Sequence, residues 1–184
     1  MNFKIPGTIK GFELRLRQAS DAKPFFAVIE NNRAYLRKWL PWLDDNTTHL
    51  DTLAYIKRCQ DQFSSESGLD LGIWFENQWV GSVGFHDWDK ANKQSSIGYW
   101  LAEEFTGRSI MTASVNALVR YGFTQMKLNR IEVRCAVRNR KSRAIAKRLG
   151  MKHEGTLRQA EFLYDHFVDL AVYSLLKIEW TDSR

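Results

Sequence analysis

The sequence predicts a single-domain fold of the α/β (α+β) class, with a mixed, mostly antiparallel sheet and helices on both of its faces. Its 184 residues suit one domain of ordinary size and leave no room for a second large one. No repeat or linker-like run divides residues 1–184, so we expect one unit folded from about residue 8 to about residue 180. The spacing of apolar residues along the chain predicts the element order β, α, α, β, β, β, α, β, α, β, β. This order favours a mixed sheet with helices on both sides.

The first half of the chain is predicted to form one strand, two helices and an antiparallel meander. Residues 9–16 alternate as a strand does, and a helical spacing follows a cap at residues 20–21. Pro41 interrupts this spacing, and residues 44–48 offer a cap for a second helix. Strand-like runs then occupy residues 69–75, 79–86 and 95–101, with a turn-rich segment at 87–93 before the third.

The second half is predicted to alternate helices with strands. A helix over residues 107–126 is followed by a strand over residues 131–135. The next helix covers residues 139–149 and ends at Gly150, the position that a left-handed cap prefers. Two strands, over residues 151–163 and 167–176, finish the chain around a turn at 164–166.

Composition indicates a soluble, cytoplasmic protein that folds without disulfide bonds or a structural metal. The chain is 44% apolar and 26% charged, which excludes disordered, collagen-like and coiled-coil classes. No apolar run is long enough for a bilayer helix or for a secretory signal at the start. Cys59 and Cys135 are too few for a disulfide framework, and the histidines show no ligand spacing with them, so no metal site is predicted.

Positive charge is concentrated in one segment. The net charge of +6 favours an anionic partner such as a nucleotide phosphate, a nucleic acid or an acidic protein. Residues 127–148 hold nine basic side chains against one acid, Glu132, and form either an anion site or a solvated face. One hypothesis is a non-catalytic RNA-binding module, but the aromatic residues are not interleaved with the basic ones as stacking platforms require.

The loop 102–109 is a candidate phosphate site. Gly107 and its small or hydroxylated neighbours precede a helix, where backbone N–H groups and the helix dipole attract a phosphate. The lysine-serine ending of a Walker loop is missing, and the glycine spacing differs from that of a dinucleotide fingerprint. Taken alone, the loop is weak evidence for a phosphate site, and an ordinary capped helix is the favoured interpretation.

Four segments carry a family resemblance: IGYWL at 97–101, GRSIMT at 107–112, NRIE at 129–132 and NRKSRAIAKRLGM at 139–151. At their mutual spacings they resemble the GNAT acetyltransferases, and more narrowly the RimJ/RimL-type branch, which acetylates N-terminal amines of ribosomal proteins. The resemblance spans nearly the whole chain. It implies an N-acetyltransferase (GNAT) domain over residues 1–184, acetyl-CoA as co-substrate, and a splayed strand pair between the strand ending near Leu101 and the strand at 131–135.

The resemblance also implies where the coenzyme is held. A backbone N–H near Trp100 or Leu101 is expected to polarise the acetyl carbonyl. Gly98 either forms the β-bulge that opens the gap between the two strands or is a glycine required by close packing. The family's loop usually starts with Gln or Arg and ends with Gly or Ala, whereas this chain has Glu104 and Ser109 there, and we expect Glu104 to turn outward. The implied coenzyme-binding residues are Trp100, Leu101, Thr106, Gly107, Arg108, Ser109, Ile110, Met111, Asn139, Ser142 and Arg143.

Two residues take catalytic roles by the same resemblance. Glu161 matches a glutamate assigned as general base, and partial burial among apolar neighbours would raise its pKa. Ser142 hydrogen-bonds to the departing thiolate. The alternatives are a surface strand glutamate at 161, and helix capping by Asn139 and Ser142.

The acceptor is expected to be an amine at the N-terminus of a protein or peptide, with ribosomal proteins as the candidates. An α-amine with a pKa of about 7.8 is roughly a quarter neutral near pH 7.4, whereas a lysine amine is neutral in about one molecule per thousand. A small amine, such as an antibiotic or a peptide-like toxin, is the alternative acceptor. Trp39 and Trp42 are candidates for a substrate wall or a dimer contact, since homodimers are common in the resembled branch. No membrane partner or direct nucleic-acid contact is required.

Overall fold

The computed structural model of the chain describes residues 3–6 and 10–181. The strands in this part are β1 (Lys4–Pro6), β2 (Phe12–Arg15), β3 (Leu69–Phe75), β4 (Gln78–Asp89), β5 (Gln94–Leu101), β6 (Arg130–Ala136), β7 (Lys152–Leu163) and β8 (His166–Leu176). The α-helices are α1 (Ala22–Leu36), α2 (His49–Ser64), α3 (Ile110–Thr124) and α4 (Arg140–Arg148). Short 3₁₀ turns lie at Ala19–Asp21, Pro41–Asp45 and Glu103–Phe105.

The strands form one sheet in the order β1-β2-β3-β4-β5-β6-β8-β7. Every neighbouring pair is antiparallel except β5 and β6, which run parallel and are joined by the crossover helix α3. This confirms the predicted α/β fold with a mixed, mostly antiparallel sheet. The splayed pair is also present, because the β5–β6 register begins at Gln94 with Arg130 and stops at Ser96 with Glu132.

The sheet separates two apolar clusters. Successive residues of a strand point to opposite faces, so Ile73 of β3 joins the larger cluster with α3, while Trp74 joins the smaller one with α1 and α2. Helices therefore cover both faces of the sheet, as predicted. None of the described helices has both the length and the apolar character that crossing a bilayer requires.

Helix ends follow the local signals in the sequence. Thr48 begins α2 with a capping box, in which its hydroxyl accepts from the Asp51 N–H. Pro41 occupies the first position of its 3₁₀ turn, where its missing N–H costs nothing. After α4, Gly150 has a φ of +75°, which confirms the left-handed cap.

Two differences from the sequence prediction lie at strand ends. Strand β4 continues to Asp89, into the segment predicted as turn-rich, because the pairing with β5 resumes after an irregularity between His86 and Asp89. The three-residue strand β1 has no periodic signal of its own and forms by pairing with β2. Part of the strand predicted over 9–16 falls outside the described residues, and its described portion is Phe12–Arg15.

Candidate active site

The parted strands create a gap at the centre of the sheet. Strand β5 stays paired with β4 as far as Leu101, and β6 stays paired with β8 as far as Ala136. Between β5 and β6, however, the register ends at Ser96 and Glu132. The facing edges beyond that point carry backbone N–H and C=O groups without a strand partner, which are obligatory hydrogen-bonding groups. An extended ligand with amide groups could take the place of the missing strand pairing.

The loop that follows β5 is fixed at both of its ends. The Ala102 N–H donates to the Val80 carbonyl over 2.8 Å. The Glu103 N–H donates to Oδ1 of Asn32 on α1, also over 2.8 Å. Asn32 is buried in α1, and no local sequence pattern indicates this contact across 71 positions. Glu104 is exposed, as are Gly107, Arg108 and Ser109, and its outward orientation stays a prediction.

The end of this loop presents backbone groups at the start of α3. Gly107 has a φ of +79°, and a Cβ built on it would meet nothing within 4 Å. Ser109 is also left-handed, with a φ of 60°. Left-handed residues in a turn direct neighbouring N–H groups to one side, where they bind anions together with a helix N-terminus. Ile110 and Met111 are buried in the core, so only their backbone N–H groups could face a ligand.

Helix α4 begins beside the gap. The Asn139 side chain accepts from the Ser142 N–H over 3.1 Å, so Asn139 is the N-cap and the capping interpretation is correct for it. The Ser142 hydroxyl instead lies 2.9 Å from the phenol oxygen of Tyr99 on β5. Arg143 donates to the Tyr173 hydroxyl and to the Val137 carbonyl, each over 3.0 Å. Sequence reasoning did not single out Tyr99, because no local pattern connects it with Ser142.

Aromatic rings line the end of β5. The Trp100 ring lies 5.1 Å from that of Trp79 and 6.3 Å from that of Trp42, so Trp42 belongs to this cluster.

Gly98 pairs regularly with Gly84, and a Cβ on it would lie 2.7 Å from Nε2 of His86. Gly98 is therefore a packing glycine beneath a histidine ring, and the interpretation of it as a bulge is wrong.

An open cleft of about 1030 Å³ lies between α1 and the β7–β8 hairpin. Trp39 lines it, so the two candidate tryptophans face different parts of the molecule. Glu161 lies opposite Val168 in the hairpin and two residues before Leu163, and both of these residues line the cleft. Glu161 itself does not line the cleft. It is half-buried beside these two residues, and burial raises the pKa of its carboxyl.

A contact across 124 positions joins the two walls of this cleft. The Tyr164 hydroxyl at the hairpin turn donates to the Leu40 carbonyl after α1. The guanidinium of Arg37 lies 3.7 Å from the Tyr164 ring centre and forms an ion pair of 2.8 Å with Asp44. These contacts hold the hairpin against the end of α1 and fix the width of the cleft.

Much of the positive charge in residues 127–148 is engaged within the fold. Arg130 donates to Glu154 over 2.6 Å and to Glu132 over 2.7 Å, and Arg148 donates to the Thr112 hydroxyl over 2.9 Å. Arg138, Arg140 and Lys147 remain exposed. The segment is therefore partly a folded ion-pair surface and partly an exposed basic face.

The family comparison agrees with this geometry. The family model described as an acetyltransferase (GNAT) domain matches residues 12–152. The chain is a GNAT acetyltransferase. It is therefore an N-acetyltransferase, and the alternative of a non-catalytic RNA-binding module is wrong.

Relatives of this GNAT protein include enzymes of ribosomal proteins. "Putative ribosomal N-acetyltransferase YdaF" of Bacillus subtilis is 35% identical over 93% of this chain and 94% of the relative. A solved RimL, the ribosomal L7/L12 α-N-protein acetyltransferase in complex with coenzyme A, has a TM-score of 0.91 at 28% identity, covering 95% of this chain and 98% of RimL. The microcin C7 self-immunity acetyltransferase MccE, solved with acetyl-CoA and AMP, has a TM-score of 0.87 at 30% identity, covering 91% and 93%.

No metal site accompanies this arrangement in the part of the GNAT chain that is described. Across residues 3–6 and 10–181, no group of three or more histidine, cysteine, aspartate or glutamate side chains is placed to hold a metal ion. The groups near the gap are instead proton donors and acceptors. They are Tyr99, Cys135 and Ser142 at the gap, and Glu161 beside the cleft.

Proposed function

We propose that this chain transfers the acetyl group of acetyl-CoA to the N-terminal α-amine of a protein or peptide, with ribosomal proteins as the substrate class. The observation that carries the proposal is the position of Glu161. Its carboxyl, whose pKa is raised by burial, lies next to residues that line an open cleft of about 1030 Å³, since Glu161 pairs with Val168 of the cleft wall. Relatives named as ribosomal-protein acetyltransferases support the choice of acceptor.

The gap and the loop fit the coenzyme. The facing edges of β5 and β6 offer backbone groups to an amide-bearing arm, near Trp100 and Leu101. The loop from Thr106 to Ser109 and the first N–H groups of α3 offer a cradle for a pyrophosphate, and no Cβ occupies the space beside Gly107. Arg108, with its charged group 5.3 Å from the Phe105 ring centre, adds positive charge to this loop.

Four other residues expected at the coenzyme keep defined places in this proposal. Ile110 and Met111 contribute backbone N–H groups, because their side chains are buried. Asn139 holds the start of α4 as its cap, and Arg143 places its positive charge beside the same turn while two of its nitrogens bond to protein oxygens. These two residues therefore shape the site more than they grip a ligand.

Acetyl-CoA supplies an activated acetyl thioester, from which the amine nitrogen takes the acetyl group as the carbon–sulfur bond breaks and its electron pair stays on sulfur. Glu161 accepts a proton from the amine, and its raised pKa makes it a better base than an exposed glutamate. Ser142 donates a hydrogen bond to the sulfur as negative charge forms there. Solvent water then supplies the thiol proton. An N–H near Trp100 or Leu101 stabilises the carbonyl oxygen, a role that can contribute about 3 kcal/mol.

The cysteines favour direct transfer over an acetyl-cysteine route. Burial raises the pKa of Cys135, although a hydrogen bond from Ser142 and the charge of Arg143 oppose that shift. Burial also raises the pKa of Cys59, to about 11. Because the thiolate is the nucleophilic form, both thiols are poor nucleophiles at neutral pH.

An acceptor screen tests the proposal. We expect peptides with a free N-terminal serine or alanine, taken from ribosomal proteins, to be acetylated at the α-amine and to release coenzyme A in equal amount. The same peptides with a blocked N-terminus and one internal lysine are the matched control, and they should react at least about a hundredfold more slowly, since far less of the lysine amine is neutral. Equal rates for both sets, or acetyl groups found on lysine, would contradict the choice of acceptor.

A small amine is the second candidate acceptor, and the likeness to MccE favours it. That neighbour was solved with acetyl-CoA and AMP, and the cleft of this chain carries Lys38 and Arg138, which could face a phosphate. Amine antibiotics and a peptide-like toxin should therefore be included in the screen. Turnover of these compounds with none of the peptides would select this alternative.

A further inference from the structure

Tyr99 is the residue of the gap for which neither the sequence nor the proposed function has a role. It lies on β5, in the segment that has lost its pairing with β6, and its side chain is partly buried against the core. Its phenol oxygen is 2.9 Å from Oγ of Ser142 and 3.1 Å from the Ser142 carbonyl oxygen. The phenol therefore reaches two oxygens of the same residue at the start of α4.

The hydroxyl protons of Tyr99 and Ser142 can be arranged in two hydrogen-bonding patterns. A carbonyl only accepts, so a bond to it uses the single Tyr99 proton, and the Ser142 hydroxyl then donates its own proton to the phenol oxygen. In the other arrangement Tyr99 donates to Oγ, and the Ser142 proton is available to the Cys135 sulfur or to a ligand. A small movement of one hydroxyl hydrogen thus decides whether Ser142 can donate to a ligand.

The surroundings favour negative charge at this point. Ser142 is the third residue of α4, within the first turn, where the helix dipole is positive. The charged groups that act on Tyr99 and on the neighbouring Cys135 are Arg148 and Arg143, both cationic. Burial raises the pKa of Tyr99, so the phenol keeps its proton and acts as a donor.

We propose that Tyr99 is a positioning residue, whose hydroxyl donates to Oγ of Ser142 and so turns the Ser142 proton towards the sulfur of the coenzyme as thiolate forms. This inference rests on the proposed function. Tyr99 does not touch the reacting atoms and gives up no proton in the cycle. A donor bonded to Oγ also polarises the serine O–H group, which strengthens the bond that Ser142 makes in turn.

The test measures the thiol pKa of coenzyme A bound to the protein, followed by the ultraviolet absorbance of the thiolate. Coenzyme A is the probe, a phosphine reductant keeps all thiols reduced, and the titration of the protein alone is subtracted to remove Cys59 and Cys135. In the wild-type protein we expect the bound thiol to ionise at lower pH than free coenzyme A. This readout needs no acceptor and no turnover.

Four variants define the result. Tyr99→Phe should raise the pH at which the bound thiol ionises by about one unit, a tenfold loss of thiolate stabilisation, while acetyl-CoA affinity changes less than about threefold. Ser142→Ala should show a similar rise, and the double variant should show no further rise, because both changes break one chain of hydrogen bonds. Tyr121→Phe removes the same hydroxyl from a half-buried tyrosine beside Phe3, away from the gap, and should leave the titration unchanged.

The outcomes distinguish a failure of the proposed function from a failure of the role of Tyr99 alone. If wild-type protein binds no coenzyme A, the proposed function fails and the role of Tyr99 fails with it. If coenzyme A binds and its thiol ionises at the same pH in wild type and Tyr99→Phe, only the role of Tyr99 is overturned. A rise in Tyr121→Phe equal to that in Tyr99→Phe would overturn it as well, since the effect would then be unspecific.

Discussion

Glu161→Gln is expected to lower kcat for an N-terminal peptide by about 10²–10⁴-fold, the range over which general-base catalysis acts. Glutamine keeps the shape of the side chain but cannot accept the amine proton. Because burial raises the pKa of Glu161, wild-type kcat/KM should fall on the acid side at a pH above the ordinary value of a glutamate, about 4.3. The α-amine also becomes protonated as pH drops below about 7.8, so the contribution of Glu161 is the additional fall as pH drops through the raised pKa of its carboxyl, since a protonated carboxyl is no base. Initial rates of coenzyme A release over a pH series measure both effects.

Glu154→Gln is the matched control for that variant. Glu154 lies on the same strand, β7, is exposed, and bonds to Arg130 on the neighbouring surface. Its replacement removes one carboxylate from the hairpin without touching the cleft, so kcat should stay within about twofold of wild type. Acetyl-CoA affinity should be retained in both variants. A Glu161→Gln enzyme with wild-type kcat would remove Glu161 from the mechanism.

Gly107→Asp is expected to weaken acetyl-CoA binding by about a hundredfold or more. The space beside Gly107 is open, so a side chain fits there and its carboxylate would face the pyrophosphate. Two unit charges about 6 Å apart repel by about 3 kcal/mol at an effective dielectric constant of about 20. That energy corresponds to about a hundredfold in the dissociation constant. Calorimetric titration with acetyl-CoA measures it directly.

Gly107→Asn separates the charge from the backbone strain. Gly107 has a φ of +79°, a conformation in which asparagine and aspartate are both better tolerated than most residues. The two side chains have nearly the same shape. The Gly107→Asn variant should therefore lose only the part of the acetyl-CoA affinity that backbone strain and side-chain bulk remove. Equal affinities for the aspartate and asparagine variants would show that no phosphate lies at this loop.

The elements whose identity depends on local pattern were predicted well from the sequence. Strand β3 and the ends of α2 and α4 carry their own periodic or capping signals, and Thr48, Asn139 and Gly150 act locally. The splayed pair could be expected only from the family resemblance, since periodicity fixes strand identity but not which edges lose their partners. Gly98 shows the limit of pattern, because a bulge and a packing glycine have the same sequence signature.

The contacts that shape the candidate site join distant parts of the chain. Tyr99 meets Ser142, Asn32 meets Glu103, and Tyr164 meets Leu40, over separations of 43, 71 and 124 positions. No spacing rule within a helix or strand connects such pairs, so the tertiary fold had to supply them. Tyr164 lines the cleft, and its bond to Leu40 joins the hairpin to the segment after α1. Trp39 and Trp42 are close in sequence, yet they face different surroundings.

The central claim is that the parted edges of β5 and β6, with the loop before α3, hold acetyl-CoA. Amide hydrogen exchange with and without acetyl-CoA tests it most directly. We expect the added coenzyme to slow exchange in peptides that cover residues 97–111, while exchange in strand β2, at the far side of the sheet, stays the same. Binding of acetyl-CoA without any slowing over residues 97–111 would contradict the claim.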